Sequence, residues 1–261
     1  MKTAIIQMDI SWQDCDNNLR HAGKLIDSLP DADLYLLPEM FTSGFSMKPS
    51  EITDSKGLVL RWMQGKATEL GAAICGTTAV EDDGKFYNRM YFVKPGGAVE
   101  IYDKRHLFTY SGENRCYSAG EKRVVVEWLG VRILLQTCYD LRFPVFSRNL
   151  SDYDMAVYLA CWPESRHDAW TTLLKARALE NQCYVAGVNR SGDDPFCHYK
   201  GGSRVIDPYG KCIAECSDHI ESCACTFIDM EQLKAYRKKF PVLEDGDLKC
   251  VDFISSKVVK P

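Results

Sequence analysis

The chain has 261 residues, which is long enough for one substantial domain or two small ones. Its hydrophobic content of 46% and charged content of 26% are ordinary for a globular protein, and its net charge of -4 gives no general support for nucleic-acid binding, which favours a basic face. The apolar run at the N-terminus is too short for a signal peptide, and no stretch approaches the length of a transmembrane helix. We therefore expect a cytoplasmic protein with neither a nucleic-acid nor a membrane partner.

The spacing of apolar residues predicts strands that alternate with helices, and hairpins in the middle of the chain. In chain order, strands are predicted over residues 3–9, 34–37, 73–80, 86–94, 99–102, 124–128, 131–137, 155–160, 184–189, 203–206, 211–215 and 223–228. Helices are predicted from a cap at Asp14 or Asp16 to Leu29, over residues 58–70 before Gly71, over 168–182 and over 231–239.

No low-complexity linker interrupts the chain, so we expect a single domain over residues 1–261 with an irregular tail over 240–261. Hairpins mixed with helix–strand alternation favour two sheets covered by helices over a simple doubly wound sheet. The predicted fold class is therefore α/β, in the form of a four-layer αββα sandwich.

The chain contains 12 cysteines, too many to treat each as a functional residue. A disulfide framework would need an oxidising compartment, and no export signal is seen. Cys212 with Cys216 and Cys223 with Cys225 come closest to metal spacing, but zinc sites usually use paired knuckles or nearby histidines. Because Cys223 and Cys225 are two residues apart in a predicted strand, we expect both to face the same side as core residues.

Cys138 differs from the other cysteines in its position along the chain. It follows the apolar strand predicted over residues 131–137 and precedes polar residues and Pro144. The end of a central strand, where the chain turns toward a helix, is where open α/β sheets place their chemistry. Buried cysteine is more often a small apolar residue, so a functional interpretation requires a base, a cation and an oxyanion site elsewhere in the chain.

Three charged residues could supply those groups. Glu39 follows a predicted buried strand and Pro38, a position that suits a general base but also a strand-end cap. Lys104 follows another strand and Glu113 lies in a turn-rich segment, where solvated side chains are common. With Cys138 they give a nucleophile, a carboxylate that moves protons and an ammonium that stabilises an oxyanion. The five histidines form no convincing Cys/His/Asn arrangement.

In their local contexts these residues resemble the motifs of the nitrilase, or carbon–nitrogen hydrolase, superfamily. The resemblance extends from residue 5 to residue 239 and rests on three ordered segments: 36–41 (LLPEMF), 102–108 (YDKRHLF) and 138–144 (CYDLRFP). Four later segments are also similar to the superfamily: 176–182 (ARALENQ), 188–190 (VNR), 201–203 (GGS) and 207–210 (DPYG).

The resemblance implies an αββα sandwich that usually forms homodimers and hydrolyses a small amide or nitrile through a thioester, without a metal or organic cofactor. By the matching motifs, Cys138 is the nucleophile, Glu39 the general base and Lys104 the oxyanion cation. The backbone N–H of Tyr139 is then the second oxyanion donor. Glu113 matches a second glutamate that positions the substrate or the lysine in many members.

Within the superfamily, residues 142–149 (RFPVFSRN) and 161–163 (CWP) are similar to bacterial ω-amidases, which deamidate 2-oxoglutaramate or 2-oxosuccinamate. Cys161 departs from a typical member, which has asparagine there. The free carboxylate of such a substrate needs a charged partner. Arg142 could supply it or could form a salt bridge with Asp140 or a neighbouring loop, and Arg166 is a further candidate. Three aromatic residues could line the pocket or pack in the core: Phe45, Phe108 and Trp162.

Three hypotheses remain open from the sequence. The chain is a working ω-amidase, another carbon–nitrogen hydrolase such as a nitrilase or N-carbamoyl amidase, or a non-catalytic scaffold that has kept the fold. The presence of Glu39, Lys104 and Cys138 argues against the scaffold, and the substrate class would separate the first two.

Overall fold

The computed structural model describes residues 1–54 and 56–246, and two six-stranded sheets form its centre. The first sheet has the strand order β14-β1-β2-β3-β4-β5 and contains β1 (Lys2–Gln7), β2 (Leu34–Leu36), β3 (Ala73–Asp82), β4 (Lys85–Val93), β5 (Val99–Asp103) and β14 (Ser222–Phe227). The second has the order β13-β12-β9-β8-β7-β6 and contains β6 (Val125–Trp128), β7 (Val131–Thr137), β8 (Met155–Ala160), β9 (Tyr184–Asn189), β12 (Arg204–Ile206) and β13 (Cys212–Glu215). A separate hairpin pairs β10 (Ser191–Asp193) with β11 (His198–Lys200).

The helices are α1 (Cys15–Asp27), α2 (Pro49–Ile52), α3 (Leu58–Leu70), α4 (Glu113–Cys116), α5 (Pro144–Ser147), α6 (His167–Asn181) and α7 (Met230–Lys239). Short 3-10 helices cover Thr109–Ser111, Cys138–Arg142 and Glu164–Arg166. Across the described ranges, no helix is long and apolar enough to cross a membrane.

Alternate residues of each central strand face opposite sides of its sheet, and this divides the core into layers. Ile133 and Leu135 of β7 pack between the two sheets with residues of β2, β3, β8 and β9. Leu134 faces the other way and packs with Trp170 and Leu174 of α6. On the far side of the first sheet, apolar residues of β1 pack with those of α1 and α3. The order helix, sheet, sheet, helix confirms the predicted αββα sandwich.

Local sequence signals explain several element ends. The side chain of Asp14 accepts a hydrogen bond from the backbone N–H of Asn17 and so begins α1. Gly71 ends α3 with φ 64°, a left-handed conformation that glycine adopts without strain. The β3–β4 hairpin turns at Asp83 and Gly84 with φ 49° and 70°, as a two-residue hairpin turn requires.

The differences from the sequence prediction concern short elements and ends. Strand β1 ends at Gln7 and not at residue 9, because its pairing with β14 stops at Gln7 opposite Ser222. Helices α2, α4 and α5 and the β10–β11 hairpin were not predicted, since segments of three or four residues show no periodicity. The predicted tail over 240–261 lies outside the described residues from 247 onward.

Parallel pairing gathers three segments at one end of the sandwich. β2 runs parallel to β1 and β3, and β8 runs parallel to β7 and β9. The carboxyl ends of β2, β7 and β8 lead directly to Glu39, Cys138 and Cys161. Open α/β sheets commonly bind ligands at this end.

Gly187 in β9 provides a test of how tightly the second sheet packs against α6. A Cβ at this position would overlap Leu174 Cδ1 and lie 2.8 Å from Trp170 Cζ2. We expect Gly187→Ala to reduce the free energy of unfolding by about 1–3 kcal/mol, the usual cost of overpacking a core. Denaturant unfolding measures this. Gly65→Ala is the control, because Gly65 is an exposed residue of α3 with no atom within 4 Å of its Cβ position; an equal effect of the two changes would contradict the packing argument.

Candidate active site

The turn after β2 directs Glu39 into the protein. Met40 adopts φ 47°, and its N–H donates to Thr77 Oγ1 over 2.8 Å. The next N–H, of Phe41, donates to the carbonyl oxygen of Thr77 over 3.2 Å. This pairing with β3 turns the chain so that the Glu39 side chain is fully buried.

Lys104 lies between two buried carboxylates. Its Nζ is 2.9 Å from Glu39 Oε1, and 3.0 Å and 2.9 Å from the two carboxylate oxygens of Glu113. The side chains of all three residues are 0% exposed. Buried charges are costly unless they are paired and hydrogen-bonded, so this cluster requires all three members.

Asn88, in the middle of β4, joins the two carboxylates on their other side. Its Nδ2 donates to Glu39 Oε1 over 2.7 Å and lies 3.4 Å from Glu113 Oε1. The backbone N–H of Lys104 donates to the Asn88 carbonyl over 3.0 Å. Asn88 therefore fixes the positions of both Glu39 and Lys104.

The chain turns sharply at Cys138. This residue has φ 44°, a left-handed conformation that is rare for a side chain with Cβ and that recurs at functional turns. A hydrogen bond holds the turn: Asp140 Oδ2 accepts from the backbone N–H of Thr137 over 2.8 Å. The conformation resembles a nucleophile elbow, which presents a reactive side chain at the top of a sheet.

Asp140 also ties this turn to the segment that carries Lys104. Its carboxylate accepts from the hydroxyl of Tyr102 over 2.6 Å and from the backbone N–H of His106 over 3.0 Å. His106 Nδ1 lies 2.8 Å from the same carboxylate. The Asp140 carboxylate thus accepts hydrogen bonds both from its own turn and from the segment that carries Lys104.

Cys161, at the end of β8, contacts both the base candidate and the nucleophile candidate. Its backbone N–H donates to Glu39 Oε2 over 2.8 Å, and its thiol lies 3.1 Å from the Glu39 carbonyl oxygen. Its own carbonyl oxygen is 3.9 Å from Cys138 Sγ. The second oxygen of the Glu39 carboxylate is therefore fixed by the backbone of the neighbouring sheet.

The electrostatics of the cluster set the protonation of its members. Burial alone would lower the pKa of Lys104, but Glu113 and Glu39 outweigh it and raise that pKa well above its usual value. Burial, followed by the charge of Glu39, raises the pKa of the Cys138 thiol well above its usual value, while Lys104 acts in the opposite direction. Burial also raises the pKa of Glu113, against the effect of Lys104. At neutral pH the resting site therefore holds an ammonium and a protonated thiol.

A cavity of about 800 Å³ opens above this cluster. Cys138 and Lys104 lie at its inner end, and Glu39 and Glu113 lie behind Lys104, outside the lining. Eight aromatic side chains line it: Trp12, Phe45, Phe108, Tyr110, Tyr139, Trp162, Phe196 and Tyr199. Phe45, Phe108 and Trp162, which the sequence left between pocket and core, thus belong to the cavity wall.

Two arginines face the cavity. The Arg142 guanidinium lies 5.0 Å from the ring centre of Trp162, and that of Arg166 lies 5.2 Å from the ring centre of Phe108. Over residues 1–54 and 56–246, neither side chain forms a hydrogen bond or an ion pair. The alternative of an Arg142–Asp140 salt bridge is therefore wrong, because the Asp140 carboxylate is occupied by Tyr102, Thr137 and His106.

The structure brings together every site residue that the sequence singled out, and it adds three others. Cys138 and Lys104 lie at the inner end of the cavity, with Glu39 and Glu113 bonded to Lys104 behind it. Tyr139, Arg142 and Trp162 line the cavity. Asn88, Asp140 and Cys161 were not recognised as site residues: Asn88 lies mid-strand without a motif, Asp140 acts through hydrogen bonds, and Cys161 acts through its backbone.

The family of the chain follows from comparison with known proteins. A family model described as "Carbon-nitrogen hydrolase" matches residues 2–238. The chain therefore belongs to the carbon–nitrogen hydrolase family, as its motifs indicated, and is an enzyme of that class.

Relatives within this family are similar over nearly the whole chain. "Omega-amidase YafV" of Escherichia coli K12 is 46% identical over 95% of this chain and 97% of its own length. "2-oxoglutaramate amidase" of Bacillus subtilis is 34% identical over 92% of this chain and 95% of its own length. The crystal structure of XC1258 from Xanthomonas campestris, a CN-hydrolase superfamily protein with an arsenic adduct in the active site, has a TM-score of 0.92 at 41% identity and covers 95% of this chain and 97% of its own.

Replacing Glu39 with glutamine removes the negative charge and keeps a side chain of the same shape. Because the charge of Glu39 raises the pKa of the Cys138 thiol, Glu39→Gln should lower that pKa. Alkylation of Cys138 by iodoacetamide should then reach half its maximal rate at a lower pH than in the parent protein, measured by mass spectrometry of the Cys138 peptide. Glu231→Gln serves as control, since the Glu231 side chain is 88% exposed; a midpoint that stays in place or rises in Glu39→Gln would refute the assigned electrostatics.

Proposed function

We propose that this enzyme is an ω-amidase that hydrolyses the terminal amide of 2-oxoglutaramate or 2-oxosuccinamate to ammonia and the 2-oxo dicarboxylate. The observation that carries the proposal is the buried Glu39–Lys104–Glu113 cluster beside Cys138, at the base of a cavity whose two guanidiniums have no ion-pair partner among residues 1–54 and 56–246. The cluster suits acyl transfer, and the guanidiniums suit a substrate with a free carboxylate. The names of the relatives in E. coli and B. subtilis support the same substrate class.

The first step forms a thioester on Cys138. Glu39 takes the thiol proton while the sulfur attacks the amide carbon, and the carbonyl oxygen becomes an oxyanion. Lys104 Nζ and the backbone N–H of Tyr139 stabilise this oxyanion. The amide nitrogen then takes the proton from Glu39 and leaves as ammonia.

The second step releases the acid. Glu39, which has given its proton to ammonia, takes a proton from water, and the resulting hydroxide attacks the thioester carbon. The same two donors stabilise the second oxyanion. Collapse of this intermediate breaks the carbon–sulfur bond, and the thiolate recovers its proton from Glu39.

Proton transfer between Cys138 and Glu39 leaves the net charge of the buried cluster unchanged. Before transfer the cluster holds two carboxylates and an ammonium; after it, the thiolate replaces the Glu39 carboxylate as the second anion. Since the cost of a buried charge depends mainly on its pairing, a thiolate beside Lys104 is far less costly than an isolated one. Glu113 keeps Lys104 charged and in place while Glu39 is protonated.

Arg142 and Trp162 together form the proposed anchor for the substrate carboxylate. Stacking on Trp162 holds the guanidinium at the cavity wall without consuming its hydrogen-bond donors. A carboxylate can therefore occupy the planar fork of Arg142 in bidentate geometry. Arg166, stacked on Phe108, places a second positive charge on the same cavity.

We also propose a cytoplasmic homodimer. The family usually assembles in this way, and the 11 cysteines within residues 1–54 and 56–246 are free thiols, which suits a reducing compartment.

Ammonia release from a panel of amides tests the proposed function. We expect 2-oxoglutaramate and succinamate to be hydrolysed with much higher kcat/KM than nitriles, N-carbamoyl amino acids and neutral amides of similar size. Neutral nitriles and amides lack a carboxylate for Arg142, and N-carbamoyl amino acids present a less electrophilic ureido carbonyl in place of the terminal amide. Cys138→Ser should abolish turnover, since a carboxylate cannot activate a hydroxyl to the same degree.

Three outcomes would contradict this proposal. Preference for nitriles or N-carbamoyl amino acids would assign another reaction of the family. Equal rates with neutral amides would contradict the assignment of Arg142 as the anchor for the substrate carboxylate. Turnover of none of these compounds, with Cys138 unreactive toward iodoacetamide, would indicate a non-catalytic scaffold.

A further inference from the structure

We propose that the mouth of the cavity is a subsite for an aromatic substituent on the carbon next to the substrate carboxylate, so that the enzyme also hydrolyses N-aroyl derivatives of glutamine. The inference rests on the proposed ω-amidase function and extends its substrate class. It is carried by three aromatic side chains and one methionine at the opening. We call this set the aromatic rim: Trp12, Met47, Tyr110 and Phe196.

The aromatic rim exposes an unusual amount of apolar surface. Phe196 is 80% exposed and Tyr110 is 85% exposed, although both line the cavity. The Phe196 ring packs edge-on against Trp12, with 5.8 Å between ring centres. Exposed apolar side chains gathered around a cavity indicate a binding site.

The side of the rim that carries Phe196 is built rigidly. Phe196 lies in the loop of the β10–β11 hairpin, where Asp194 Oδ1 accepts from the N–H groups of Phe196 and Cys197, each over 2.8 Å. The fully buried Arg190 donates to the carbonyl oxygens of Asp193 over 2.9 Å and Ile10 over 3.2 Å. These bonds join the hairpin to the segment that carries Trp12 and so fix the backbone from which both rings project.

The Trp12 ring packs against the backbone at Gly44. A Cβ on Gly44 would lie 3.0 Å from Trp12 Cε3, and Gly44 adopts φ 75°. The N–H of Gln13 donates to the carbonyl oxygen of Ser43 over 2.8 Å. A preorganised aromatic surface loses little entropy when it binds a flat ring.

Depth in the cavity decides which part of a substrate reaches the rim. Lys104 is 1% exposed and Cys161 is 4% exposed, so the reacting carbon lies at the inner end. Arg142 is exposed, and Arg166 is partly exposed, nearer the opening. When the amide lies at Cys138 and the carboxylate at the guanidiniums, a group on the carbon next to that carboxylate points outward, to the rim.

The size and charge of the cavity fit such a substituent. About 800 Å³ is typical of sites for drug-sized ligands, and a small dicarboxylate monoamide fills only part of it. The guanidinium of Arg166 lies 5.2 Å and 5.9 Å from the ring centres of Phe108 and Tyr110. An aromatic acyl group can stack on this assembly and bury the exposed faces of Tyr110 and Phe196.

The test compares ammonia release from glutaramate, N-acetylglutamine and N-benzoylglutamine, both enantiomers of each glutamine derivative being used. The enzyme should hydrolyse all three, with KM for the better benzoyl enantiomer roughly tenfold or more below that for its acetyl counterpart, the scale of adding apolar groups to an apolar pocket. Phe196→Ala should remove most of this difference and leave the glutaramate kinetics unchanged. Tyr110→Ala should also remove most of the difference, but it serves only as a second test of the rim, because the Tyr110 ring lies 5.9 Å from the Arg166 guanidinium. Phe227→Ala is the matched control, because Phe227 is 68% exposed and outside the cavity.

The outcomes separate the two proposals. Glutaramate and 2-oxoglutaramate both inert would refute the proposed function itself. Hydrolysis of glutaramate combined with no hydrolysis of N-benzoylglutamine, or with a benzoyl KM no lower than the acetyl KM, would overturn the aromatic subsite alone. A benzoyl preference that survives both Phe196→Ala and Tyr110→Ala would also overturn it, since the preference would then arise elsewhere.

Discussion

The ion pairs of Lys104 with Glu39 and Glu113 determine how the rest of this site is built. Three charges lie completely out of water, and such a cluster is stable only when its hydrogen bonds are satisfied. Asn88 supplies one donor from the first sheet and the Cys161 backbone supplies another from the second. The buried charges are therefore stabilised only when the two sheets pack in the one relative position that brings both donors to Glu39.

In the proposed mechanism, the same cluster allows a cysteine to act without histidine. A buried carboxylate next to Cys138 opposes ionisation of the resting thiol. This opposition becomes useful when the proton moves to Glu39, because the thiolate then occupies the place of the lost negative charge beside Lys104. In this mechanism the thiol stays protonated until proton transfer and attack occur together, and this limits unwanted reactions of the thiol.

The sequence predicted that Glu39, Lys104 and Cys138 belong to one site, and the structure places them together. Each of them follows a predicted strand. Glu39, Lys104 and Cys138 could be recognised for this reason, and the layer order followed from hairpins mixed with helices. Asn88 could not be recognised, since an amide within a strand has no local signal. The Arg142 alternatives could not be separated either, because the partners of Asp140 come from segments that are distant in sequence. The β10–β11 hairpin, which carries Phe196, is too short to show a strand pattern.

The proposed mechanism requires a thioester on Cys138, formed beside this buried cluster. Rapid-quench mass spectrometry of the parent enzyme during turnover of 2-oxoglutaramate tests it most directly. We expect an adduct on the Cys138 peptide with the mass of the substrate minus ammonia, and we expect it to accumulate before steady state. Turnover without such an adduct at any quench time, or an adduct on another residue, would contradict it.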